Sequence, residues 1–221
     1  MKYKCVIFDC DGTLVDTLGD IAGAMNQALA HYGFPSVPNE NYRDMVGWGI
    51  VRLANLALPE AARTQETVRS VSAMAQQIMV EQENLAKPYP GIRELLAELA
   101  QLKLAKKIAT AVLSNKPDPA LRILINELFG PQAFNQVCGL RPDVAPKPDP
   151  QSVWEILTEI GCSPSDAIVM GDSEIDIETA RNAGCFPLGV SWGFRSRAIL
   201  EEAGAARIID SPDELWDLLK A

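Results

Sequence analysis

A short apolar run that stops on two carboxylates constrains this chain more than any other stretch. Cys5-Val6-Ile7-Phe8 ends at Asp9, a second acid follows at Asp11, and Gly12 comes next. An apolar run of this length bounded by Asp and Gly predicts a buried strand that ends in a tight turn. Packing has no use for carboxylates there. They concentrate negative charge where desolvation is costly, so they call for a cation or a shared proton.

The rest of the chain divides around this strand. Thr17-x-x-Asp20 has the form of a capping box, and Ile21, Met25, Ala28, Leu29 and Tyr32 follow at helical spacing up to Gly33. Short helices are expected over 42–45 and 50–56, separated by Gly47-Trp48-Gly49, and a long helix over about 60–86, ending before Pro88. Beyond Pro88, helix and strand patterns alternate to the end. Strands are expected at 108–113, 136–139, 167–170, 187–191 and 207–209. Ser211-Pro212-Asp213-Glu214 reads as a capping box that opens a last helix. Such alternation predicts an α/β fold with a doubly wound parallel sheet covered on both faces. The economical division is a core of 1–15 and 88–221 with an inserted all-helical cap, 16–87, whose two chain crossings act as hinges.

Charge and cysteine content exclude several function classes. Twenty basic side chains against 29 acidic ones give a net charge of −9, which argues against nucleic acid and anionic membrane as partners. The sequence has no apolar run long enough to span a bilayer and no signal peptide at its start, so a cytoplasmic location is expected. Five cysteines without a C-x-x-C read as reduced thiols. The single histidine, His31, falls inside a predicted helix, which leaves acid–base work to carboxylates and lysines.

In a doubly wound sheet, ligands bind beyond the carboxyl ends of the strands. Asp9 and Asp11, then Ser114-Asn115-Lys116, then Gly171-Asp172-Ser173 with Asp176 all fall at predicted strand ends, and Lys147 opens the segment before a helix. With these motifs in view, the chain resembles the haloacid dehalogenase superfamily along its whole length, and within it the phosphoglycolate phosphatase-like branch. Asp9-Cys10-Asp11-Gly12-Thr13 matches the first motif of that family, Ser114-Asn115-Lys116 the second, Lys147 in Pro146-Lys147-Pro148 the third, and Gly171-Asp172-Ser173-Glu174-Ile175-Asp176 the fourth.

The resemblance implies a Rossmann-like core and a Mg²⁺-dependent phosphatase acting on a small phosphorylated metabolite through an aspartyl-phosphate. It implies Asp9 as nucleophile, Asp11 as general acid and base, and Lys147 as the bridge between Asp9 and the phosphoryl group. Asp9, Asp11 (through its carbonyl) and Asp172 would hold the metal. Asp176 would be a further ligand, directly or through water, or a first-turn helix acid. Ser114, Asn115, Gly12, Thr13 and Lys147 would bind the phosphoryl group. Lys116 is read as a solvated loop residue. In the cap, Trp48, Arg43 and Arg52 are the candidates for gripping the rest of the substrate. A monomer or a homodimer is expected, the cap helix offering a dimer face.

Rival readings stay open. Asp11 disfavours dehalogenation, which needs no acid for the leaving halide. A sugar-phosphate mutase of the same superfamily keeps the acid at Asp11 and stays open, as does pyrophosphate hydrolysis. A signalling module switched by phosphorylation of an aspartate uses similar residues, but is shorter and has no helical insertion.

Overall fold

A computed structural model describes residues 1–82, 85–105 and 107–220. Its strands are β1 (Cys5–Phe8), β2 (Val15–Asp16), β3 (Lys87–Pro88), β4 (Ala109–Pro117), β5 (Gln136–Leu140), β6 (Ala167–Gly171), β7 (Phe186–Val190) and β8 (Arg207–Ile209). Its helices are α1 (Leu18–His31), α2 (Tyr42–Met45), α3 (Ile50–Ala57), α4 (Gln65–Glu81), α5 (Ile92–Leu104), α6 (Asp118–Phe129), α7 (Gln151–Ile160), α8 (Glu174–Ala183), α9 (Arg197–Ala203) and α10 (Leu215–Lys220).

Six strands form one parallel sheet in the order β5-β4-β1-β6-β7-β8. β1 is fully buried between β4 and β6, so its apolar run meets side chains on both faces. One face packs Val6 and Phe8 with Ile92, Leu95, Leu99, Leu121 and Leu124. The other packs Cys5 and Ile7 with Val153, Ile156, Leu157 and Ala180. The order of connection reverses at β1, which opens a crevice at the carboxyl ends of β4, β1 and β6.

Helices α1 to α4 lie between β2 and β3 and share their own apolar cluster, which includes Met25, Leu29, Tyr42, Leu53, Val71 and Met79. Two core residues, Ala120 and Phe194, join that cluster. The chain crossings at either end of this block pair with each other: Val15 lies opposite Pro88 and Asp16 opposite Lys87 in an antiparallel ladder. Two-residue strands carry no periodicity, which is why the sequence shows neither.

The expected capping box at Thr17 does not form. Thr17 makes no side-chain cap bond, and the Asp20 carboxylate instead accepts the N–H groups of Leu85 and Ala86, each at 3.0 Å. The helix expected over 60–86 is a single 3₁₀ turn at Glu60–Ala62 followed by α4, with Thr64 accepting from Thr67 N as the N-cap. Residues 83 and 84 of that expected helix lie outside the described residues. None of the described helices is long and apolar enough to cross a membrane.

Candidate active site

The turn after β1 is fixed by its own backbone. The N–H groups of Thr13, Leu14 and Val15 donate to Cys10 O, and Gly12 N donates to Val15 O. Gly12 has φ +89°, and a Cβ there would lie 2.3 Å from Asp172 Oδ2, so only glycine fits. The Thr13 hydroxyl donates to Asp172 Oδ1 at 3.3 Å. Neither Gly12 nor Thr13 lines the pocket. Gly12 shapes the turn against Asp172, and Thr13 holds that carboxylate.

β4 delivers the second group through an irregularity. Leu113 pairs with Cys138 and Pro117 with Leu140, so Ser114, Asn115 and Lys116 bulge out of the ladder towards the crevice. The Asn115 side chain exchanges two bonds with the Lys147 backbone, Nδ2 to Lys147 O at 3.1 Å and Lys147 N to Oδ1 at 2.8 Å. Lys116 is not a solvated loop residue. Its side chain is 7% exposed, and its ammonium lies 3.0 Å from Asp11 Oδ1. Burial works against that charge, but Asp11 beside it pushes the Lys116 pKa up overall.

Lys147 is the hub. Its ammonium donates to Asp9 Oδ1 at 2.8 Å, to Asp176 Oδ1 at 2.6 Å and to Leu113 O at 3.1 Å, which uses all three N–H groups. Burial opposes its charge, yet the Asp176 and Asp9 carboxylates together push its pKa up. Asp176 has two tasks at once. Its Oδ2 accepts from Ser173 N at 3.1 Å and Ser173 Oγ at 2.6 Å, completing a capping box on α8, while Oδ1 holds Lys147. Both oxygens are engaged, so the geometry favours a role through Lys147 over direct metal ligation.

One oxygen each of Asp9, Asp172 and Asp176 lies within 4.8 Å of the others, and all three residues are buried. Desolvation first, and then the Asp176 charge, push the Asp9 carboxyl well above its usual range. The same two causes, in the same order, push Asp172 up to about 7. Three buried carboxylates around one ammonium leave negative charge in excess, and the donors are all oxygen. That combination fits a hard divalent cation such as Mg²⁺. The oxygens best able to take it are Asp9 Oδ2, which accepts no hydrogen bond among the described residues, and Asp172 Oδ1, whose contact from Thr13 is long at 3.3 Å; Asp172 Oδ2 accepts from Phe194 N at 2.6 Å.

These groups open into one cavity of about 50 Å³, lined by Asp9, Asp11, Ser114, Asn115, Lys116, Lys147 and Asp172, with an apolar wall from the cap that includes Ile21, Val46, Ile50, Leu53 and Met79. The three cap candidates lie elsewhere. Arg43 donates to the carbonyls of Phe194 and Gly193, and Arg52 is exposed with its guanidinium 4.3 Å from the centre of the Trp48 ring. Neither these two arginines nor Trp48 lines the cavity. A charged cap residue reads as a ligand grip in sequence, but here backbone carbonyls and an aromatic face take the guanidinium groups. Phe194 and Arg195, which do line the cavity, escaped the sequence reading. Their signal was available: Trp192-Gly193-Phe194-Arg195 follows β7 at the same edge of the sheet as the other groups.

The model of a family described as haloacid dehalogenase-like hydrolase matches residues 6–190. A phosphoglycolate phosphatase of Haemophilus influenzae is 28% identical over 225 residues, covering 99% of each chain. Phosphoglycolate phosphatase 1 of Pseudomonas aeruginosa is 29% identical, over 98% of this chain and 78% of that one. A crystal structure from Lactobacillus delbrueckii subsp. bulgaricus, of a protein provisionally assigned as a phosphoglycolate phosphatase, has TM-score 0.88 and 32% identity, with 99% of both chains covered.

Proposed function

The chain belongs to the haloacid dehalogenase-like hydrolases, and from that premise we propose that it hydrolyses a small phosphate monoester, phosphoglycolate or a close relative, through an aspartyl-phosphate on Asp9. The observation that carries the reading is the convergence of Asp9, Lys147 and Asp172 at one cavity, with Lys147 Nζ 2.8 Å from the proposed nucleophile.

The Asp9 carboxylate, oriented by the Lys147 ammonium at Oδ1, attacks phosphorus. As the new P–O bond forms, the bond to the leaving oxygen breaks, and that oxygen takes a proton from the Asp11 carboxyl. Asp11 then removes a proton from water, whose oxygen attacks the same phosphorus. The Asp9–phosphorus bond breaks, which restores the carboxylate and releases inorganic phosphate. A bound Mg²⁺ would offset the charge of the phosphoryl oxygens, held by Asp9, Asp172 and the Asp11 carbonyl. Ser114 and Asn115 would steady the phosphoryl group from the β4 bulge, with Asp176 keeping Lys147 in place.

Two features bear on the leaving group. The apolar wall offers few partners to a polyol. The Lys147 ammonium has every N–H engaged, whereas among the described residues the Lys116 ammonium makes one bond, to Asp11, which leaves two N–H groups for a carboxylate. The cap helices between β2 and β3 would close this end of the cavity during turnover. Phosphate release from a panel of small monoesters, with and without Mg²⁺, tests the proposal. Turnover is expected for phosphoglycolate and is expected to vanish in Asp9→Asn. Wild-type turnover in that variant excludes Asp9 as nucleophile, and an isomerised sugar phosphate in place of free phosphate marks a mutase.

A further inference from the structure

Cap residues 43–47 meet the core through hydrogen bonds that run in both directions. From the cap, Arg43 Nε donates to Phe194 O at 2.9 Å and its Nη2 to Gly193 O at 2.6 Å. From the core, Arg195 donates to the carbonyls of Arg43, Asp44 (3.4 Å) and Val46 (2.8 Å), while its Nε pairs with Glu174 at 3.1 Å. Asn115 Nδ2 donates to Gly47 O at 2.9 Å. The chemistry has a simple cause. A four-residue helix such as α2 leaves its last carbonyls without intrahelical partners, and Arg195 supplies them.

What the clasp grips is the segment that positions the reactive groups. Phe194 N holds Asp172 Oδ2 at 2.6 Å. Gly193 lies so close that a Cβ on it would be 2.2 Å from Asp172 Cβ and 2.4 Å from Gly12 O. Trp192 Nε1 donates to Thr13 O at 3.0 Å, and Asn115 holds the Lys147 backbone. Arg43 itself does not line the cavity, and the cap is already tied to the core at its base by the β2–β3 pair.

We propose that Arg43 and Arg195 are reciprocal positioning residues: the clasp sets Asp172 and Lys147 in their working geometry only while the cap segment 43–47 is seated on the core. The cap then does more than enclose substrate, because an unseated cap leaves the Gly193–Arg195 strap unsupported. The inference rests on the phosphatase reading for its kinetic arm alone.

The test compares Arg43→Met, the conservative Arg43→Lys, Arg195→Met and the double Met variant with wild type. Amide hydrogen exchange of the substrate-free protein is read at Phe194 and at β1. Exchange at Phe194 is expected to speed up about 10-fold or more in Arg43→Met, with β1 unchanged. Mn²⁺ affinity by calorimetry is expected to weaken about 10-fold, the size typical when a group that orients a metal ligand is removed. kcat is expected to fall about 10- to 100-fold with KM within about twofold, because Arg43 shapes the site without touching the substrate. Arg43→Lys, which can still reach one carbonyl, should recover part of each effect. The double variant should be no worse than the poorer single one, since both residues serve one unit. Wild-type exchange at Phe194 and wild-type Mn²⁺ affinity in Arg43→Met overturn the proposal, as do losses that add fully in the double variant. If wild type hydrolyses none of the monoesters, the phosphatase reading fails, while the exchange and ion-binding arms still decide the clasp.

Discussion

Replacing Lys147 by methionine removes the one ammonium that two buried carboxylates share. The Lys147 side chain is 5% exposed, and those of Asp9 and Asp176 are 10% and 0% exposed. Breaking a buried ion pair by removing one partner costs about 3–5 kcal/mol, because the other charge stays buried without compensation. Methionine keeps the length and apolar stem of lysine, so the change isolates the charge. In a chain of this size each kcal/mol moves Tm by about 2–4 °C. The expected fall is therefore about 6–20 °C, measured by thermal unfolding in EDTA at about pH 8.

The pH dependence of that fall gives the reasoning a second check. Lys147 has a raised pKa in the folded state, so its contribution is fully present below the ordinary lysine range and does not vary at neutral pH. Asp9 also has a raised folded-state value, so the folded protein takes up a proton there more readily than the unfolded chain. Lowering the pH to about 5 lets the carboxyl neutralise itself, so the penalty should shrink as pH falls. A Tm loss below about 3 °C at pH 8, or an equal loss at both pH values, refutes the account of Lys147 as the counter-charge of the cluster.

Three further perturbations follow from the same geometry. Asp172 is pushed up to about 7, so its share of metal-free stability is complete at low pH and is lost as pH rises through about 7; Tm in EDTA should climb on acidification, Mg²⁺ should raise Tm more at about pH 8 than at about pH 6, and Asp172→Asn should flatten both trends. Gly12→Ala places a Cβ against Asp172 at φ +89°, and should cost about 1–3 kcal/mol by denaturant midpoint; a wild-type midpoint shows that the turn relaxes freely. Lys116→Met should raise KM for phosphoglycolate about 10-fold while that for 2-hydroxyethyl phosphate, whose leaving group is uncharged, changes by no more than about twofold; equal losses on both would assign Lys116 to Asp11 alone.

How much of this was legible in the sequence depended on whether a residue's task follows from its position along the chain. β1, β6 and the alternation after Pro88 were legible because burial on both faces demands continuous apolar runs, and the groups at their carboxyl ends could be located by topology alone. The β2–β3 pair was not, since two residues carry no period, and β4 ran four residues past its expected end because the bulge breaks the alternation. Thr17 and Asp20 show a different kind of failure. Their spacing satisfies the capping-box rule, but the carboxylate found two free N–H groups at Leu85 and Ala86, on a segment that only the folded chain brings near.

Asp176 carries the argument furthest. Its first-turn helical position and its place in the fourth motif looked like competing explanations, one structural and one chemical. The structure gives one oxygen to each: Oδ2 caps α8 through Ser173, and Oδ1 holds the Lys147 ammonium at 2.6 Å. The two roles depend on each other, because the cap fixes the rotamer that aims Oδ1 at Lys147. Asp176→Asn separates them, since its one amide oxygen can still accept from Ser173, which leaves the NH2 group, a donor, facing the Lys147 ammonium in place of an acceptor. The variant should keep α8 intact, loosen Lys147 and lower kcat by about 10- to 100-fold, with the helix content read by circular dichroism. Loss of helix together with activity would mean that the cap is the main task of Asp176. Unchanged kcat would mean that Asp9 and Leu113 O hold Lys147 without it.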